Sequence, residues 1–151
     1  SRRASQPSGR LMRLVLDTNV VASGLLWGGV PEQFLDAAQA GELELFTSRH
    51  LLAELAGILT RGKFAKALAA TGLPHEELVL GYAELATIVT PVAVPPIIAA
   101  DPDDDHVLAC AVAANADIIV SGDKHLHSLG GQYNGIAIVT PAEMVRIIEA
   151  G

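Results

Sequence analysis

Acidic residues dominate the side chains that can do chemistry here. Asp17 ends the apolar run RLVLD at 13–17, and Asp123 follows the apolar run DIIVS at 117–121. Glu54 lies in a helical pattern, and DPDDD fills 101–105. Clustered carboxylates suit hard cations, which take oxygen ligands. Paired metals about 4 Å apart clamp the attacking and leaving oxygens of a phosphodiester. Other chemistries find less support. No Cys/His cluster suggests zinc, and no GxSxG elbow, Walker loop or GxGxxG fingerprint occurs. His106, His125 and His127 stand near acids but read as surface or structural histidines. Cys110, the single cysteine, sits in an apolar run and reads as a small buried hydrophobe.

Each acid also has a plainer reading. Glu54 is three residues after Leu51 and four before Ile58, within a stripe that includes Leu55. A carboxylate buried there is costly unless a metal or an ion pair compensates it, and Arg13 or Lys124 would be the pairing cation. DPDDD precedes a helix, where negative charge gains from the helix dipole. A cap explains one or two of those acids, but four in five residues are more than a cap uses.

Elements that position these residues can be read from periodicity. RLVLD at 13–17, ELELF at 42–46, DIIVSGD at 117–123 and GIAIVT at 135–140 read as strands, and ATIVT at 86–90 as a short candidate. Helical patterns cover about 20–40, 49–59 behind a Ser48 cap, 61–71, 75–87 and 104–115. VAVPPIIAADPDD at 92–104 reads as a Pro-broken loop, and the stretch 61–87 as a projecting helical arm. Thr140-Pro141-Ala142-Glu143 opens the last helix with a capping box, which makes Glu143 structural. Strands alternating with helices predict a parallel sheet covered on both faces. Ligands then bind beyond the carboxyl ends of the strands, where Asp17 and Asp123 both fall if their strands are parallel.

Bulk composition fits one domain over 13–151, with residues 1–12 as a flexible tail. No apolar stretch approaches the roughly 18 residues that span a membrane, and the lone cysteine suits a reducing cytoplasm. The net charge is -7, and from Leu14 onward six basic residues face all 17 acidic ones. Such a body excludes nucleic-acid binding through a broad basic surface. It leaves a metal-loaded site and the local group Arg49, Arg61, Lys63 and Lys66, which reads as an RNA contact or as solvated helix charge.

LDTNV at 16–20, a Glu on the second main helix, DPDDDHVLACA at 101–111 and VSGDKHL at 120–126 resemble the PIN-domain nucleases. The likeness is strongest to the VapC-like toxin subunits of bacterial toxin–antitoxin pairs, and covers about 12–150 in order. The resemblance implies a three-layer α/β/α fold, class α/β, with a central mostly parallel sheet. It implies Mg²⁺ or Mn²⁺ dependence, hydrolysis of single-stranded RNA by metal-activated water, a homodimer and a small antitoxin partner. It assigns Asp17 as central metal ligand, with Glu54, Asp104 and Asp123 beside it. Thr18, Asn19 and Ser121 would orient ligands or touch phosphate. Helix phase also selects Asp104 over Asp105, because Asp104 shares a face with Leu108 and Ala111.

Two other readings compete. An aspartyl phosphatase or phosphoryl-acceptor domain would use Asp17 as nucleophile, with Lys124 near it, but Thr18-Asn19 replaces the second acid that such sites need. A degenerate domain that only binds a protein partner would not need all four acids.

Overall fold

A computed structural model describes residues 10–91 and 102–151, with residues 102–104 described only by their place in a helix. The strands are β1 (Arg13–Leu16), β2 (Glu44–Thr47), β3 (Thr87–Ile88), β4 (Ile118–Val120), β5 (Gln132–Tyr133) and β6 (Ile136–Val139). The helices are α1 (Thr18–Leu26), α2 (Gly29–Gln39), α3 (Arg49–Leu59), α4 (Gly62–Thr71), α5 (His75–Leu85), α6 (Pro102–Ala113), α7 (Lys124–His127) and α8 (Pro141–Ala150).

One six-stranded sheet runs in the order β3-β2-β1-β4-β6-β5. Every neighbouring pair is parallel except β5 with β6. Leu16 pairs with Val120, so β1 and β4 end level with each other. From β1 the chain builds outward on one side through β2 and on the other through β4, which makes their shared edge a topological switch point.

Strand residues alternate between two cores. Leu14, Leu16, Leu45, Ile118 and Val120 face one side, with Val21, Phe34, Leu55 and Met144. Val15, Phe46, Ile119 and Ile138 face the other, with Leu108, Cys110 and Leu126. Both faces are covered, which gives the expected α/β/α layers and explains why Leu14–Leu16 of β1 and all of β4 are apolar.

Several expectations shift. The helical region at 20–40 is two helices, broken where Gly28 and Gly29 take positive φ of 71° and 69°. The stretch 61–87 does not project: Phe64 and Tyr82 are buried in the main core and anchor α4 and α5 to it. Most of the Pro-broken stretch, 92–101, lies outside the described residues, but α6 already begins at Pro102, two residues ahead of the expected start. An unanticipated hairpin joins β5 to β6 through Asn134 and Gly135, both at positive φ. Contacts also begin ahead of β1. Met12 is buried in the core, and Arg10 forms an ion pair with Asp117 at 2.7 Å.

Caps are as read. Ser48 accepts from the Leu51 amide at 3.2 Å. Thr140 and Glu143 form both halves of the capping box on α8, and those hydrogen bonds hold the Glu143 carboxyl below its usual range. No helix among the described residues is long and apolar enough to cross a membrane.

Candidate metal centre

Asp17 is the residue between β1 and α1, and its amide continues the ladder by donating to the Val120 carbonyl at 2.9 Å. The carboxylate is therefore delivered to the carboxyl edge of the sheet, and it is only 6% exposed. Ser121, just past β4 and wholly buried, donates its hydroxyl to Asp17 Oδ2 at 2.7 Å. The same Ser121 oxygen accepts from the Asp123 amide at 2.9 Å. Asp123 then caps α7, its Oδ1 accepting from the His125 amide at 2.7 Å. His127 Nε2 reaches the Ser121 carbonyl at 2.6 Å and ties the far end of this turn down.

Glu54 arrives from the other side, on α3. Thr18 Oγ1 donates to Glu54 Oε1 at 2.5 Å and lies 3.5 Å from Asp17 Oδ1. Glu54 Oε1 and Asp17 Oδ1 thus both lie within 3.5 Å of one hydroxyl. Glu54 is half-buried, at the border of the core stripe and not within it, because Leu51, Leu55 and Leu59 make that stripe and Ile58 is only half-buried. Arg13 is engaged elsewhere. Its guanidinium donates to the Ala114 carbonyl at 2.7 and 2.9 Å and sits over the Phe46 ring. Lys124 is exposed at the start of α7.

Electrostatics point the same way. Burial pushes the Asp17 carboxyl above its ordinary value, opposed by the Ser121 hydrogen bond and reinforced by the negative charge of Asp123. A buried carboxylate beside a second one is held charged most readily by a cation. The donors at this edge are carboxylate and hydroxyl oxygens, the set a hard divalent cation takes. Among the described residues no three His, Cys, Asp or Glu side chains close around one point. The side chain of Asp104 lies outside the described part, although the residue belongs to α6. In that helix Leu108 and Ala111, which share the Asp104 stripe, are fully buried, whereas on the Asp105 stripe Ala109 is buried and Val112 half-buried.

Among the remaining expected residues, Asn19 is exposed on α1. The four basic residues separate. Arg49 and Lys66 are exposed, Lys63 lies over the Trp27 and Phe64 rings, and Arg61 lines a cavity with Glu54. Cys110 is buried, and burial pushes its thiol up to about 12, as suits a packing residue. Periodicity did not reveal His50, whose ring stacks on His106 between α3 and α6.

No curated protein matches the chain at significant similarity. Among solved structures it is similar to VapBC2 from Rickettsia felis bound to a DNA fragment from their promoter, at 14% identity and a TM-score of 0.57. That likeness covers 85% of this chain and 98% of the other, and it is a likeness of fold. The sequence pattern of the PIN domain matches residues 13–125, a span that holds Asp17, Glu54, Asp104 and Asp123. With that match over most of its length, the chain belongs to the PIN domain family.

Proposed function

We propose that this protein is a Mg²⁺- or Mn²⁺-dependent endoribonuclease acting on single-stranded RNA, with Asp17, Glu54, Asp104 and Asp123 as its metal-holding acids. The observation that carries the reading is the buried Asp17 carboxylate, raised by desolvation and by Asp123, at the switch point of a parallel sheet.

A divalent cation, when bound, supplies Lewis acidity toward water and the phosphodiester. The chain's own residues do the positioning. Ser121 orients Asp17 through Oδ2, and Thr18 holds Glu54 toward it. Asp123 is fixed by its amide bond to Ser121 and by capping α7. Asn19 stands exposed at the same edge, where it can meet a phosphate oxygen. Water would attack phosphorus in line, giving up a proton to solvent, as the bond to the departing oxygen breaks and that oxygen takes up a proton.

The toxin role in a toxin–antitoxin pair is part of this proposal, together with a homodimer, a small antitoxin partner and a cytoplasmic location. The VapC-like motifs support it, as does the fold shared with VapBC2. Exposed Trp27, Leu73 and Leu80 supply apolar surface for a protein partner. A single domain over 13–151 is also part of the reading. The phosphoryl-acceptor alternative gains nothing from Lys124, which is exposed.

A nuclease assay on a panel of single-stranded RNAs tests the proposal. Cleavage is expected in Mg²⁺ or Mn²⁺ and not in chelator. Full activity in chelator contradicts it.

A further inference from the structure

Helix α3 carries two faces. Leu51, Leu55 and Leu59 enter the core, while His50, Ala53, Glu54, Gly57, Thr60 and Arg61 line an open cavity of about 450 Å³ on or just beyond the helix. That volume is within the roughly 300–1,000 Å³ typical of ligand pockets. Glu54 stands in the lining between His50 and Arg61, so the cavity includes an acid of the candidate site.

Its two ends differ in chemistry. At one end the Arg61 guanidinium lies near Gly57, where a Cβ would stand 3.7 Å from its terminal nitrogen. At the other, the His50 ring stacks on His106 of α6, with centroids 3.4 Å apart and planes inclined by 16°. Both imidazoles are on exposed residues.

We propose that this cavity is the subsite for the nucleotide next to the scissile phosphate. Arg61 takes a backbone phosphate, and the His50–His106 stack is extended by the nucleobase. The proposal rests on the ribonuclease reading and adds the residues that hold the strand. A planar guanidinium matches phosphate oxygens with paired hydrogen bonds. Unstacked RNA bases are held by stacking on aromatic rings, a contact every base can make. The chain carries a net charge of -7, so a strand held beside the acidic site needs a local cation. Of Arg49, Arg61, Lys63 and Lys66, Arg61 is the one that shares this cavity with a site acid.

Steady-state cleavage of a fluorescent single-stranded RNA in Mn²⁺ tests this, with circular dichroism melts on every variant. Arg61→Gln and His50→Ala should each raise KM about tenfold, with kcat falling far less. His50→Phe should bring KM back toward wild type, because a phenyl ring stacks as an imidazole does. Arg146→Gln, the same charge change on α8, should leave both constants unaltered. Unchanged KM in Arg61→Gln and His50→Ala overturns the subsite while the ribonuclease reading stands. So does a KM increase in Arg146→Gln equal to that in Arg61→Gln, because it would mark a diffuse charge effect. A wild type that cleaves no RNA in Mg²⁺ or Mn²⁺ overturns the ribonuclease reading and the subsite with it.

Discussion

Ser121 and Asp17, 104 residues apart, are joined by a 2.7 Å hydrogen bond across the ends of two parallel strands. The hydroxyl serves both acids of the sheet edge, donating to Asp17 and accepting from the amide of Asp123. Ser121→Ala leaves a buried carboxylate and a backbone N–H without their shared partner. The expected cost is about 1–3 kcal/mol, read from urea unfolding in chelator. Wild-type stability in Ser121→Ala would show that the bond does not hold the edge together.

Asp17 itself should destabilise the metal-free fold. Burial raises its carboxyl above the ordinary value of 3.8, so the native protein keeps the proton where the unfolded chain has lost it. Stability from this group is therefore greatest below pH 3.8 and falls as pH rises through the raised value. In chelator at neutral pH, Asp17→Asn should melt above wild type, and the two should converge in acid. Millimolar Mn²⁺ should raise the wild-type melting temperature more than that of Asp17→Asn. Equal shifts in the two proteins would count against a metal site at Asp17.

How far the chain could be read in advance depended on where the information lay. Parallel pairing of β1 and β4 followed from apolar strands alternating with helices, and that pairing alone brings Asp17 and Asp123 to one edge. Glu54 was harder. Ile58 is apolar and at helical spacing, but Leu59 continues the Leu51–Leu55 stripe by a step of four and leaves Glu54 at the border. The β5–β6 hairpin had a signal in Asn134-Gly135, yet a two-residue strand is too short to show alternation. The packing of α4 and α5 rests largely on single aromatic anchors, Phe64 and Tyr82, which periodicity does not weigh. No local pattern could show the stacking of His50 on His106, because it depends on how α3 meets α6.

Asp104 and Asp105 should separate cleanly. Adjacent helical residues diverge by about 100°. The stripe through Asp104 continues into fully buried Leu108 and Ala111, and the stripe through Asp105 into the smaller buried Ala109 and half-buried Val112. In titration calorimetry Asp104→Asn should abolish Mn²⁺ binding, whereas Asp105→Asn should weaken it modestly through lost long-range charge. The reverse ranking would mean that the start of α6 is turned by one residue.

Cleavage by site variants tests the central claim most directly. Single-stranded RNA is incubated in Mn²⁺ with wild type, Asp17→Asn or Glu54→Gln, each shown to be folded by its melt. If both acids hold the divalent cation, as proposed, each variant should lose at least about a hundredfold in rate, on the order of what one key electrostatic contact supplies. Near-wild-type cleavage by folded Asp17→Asn would contradict the account.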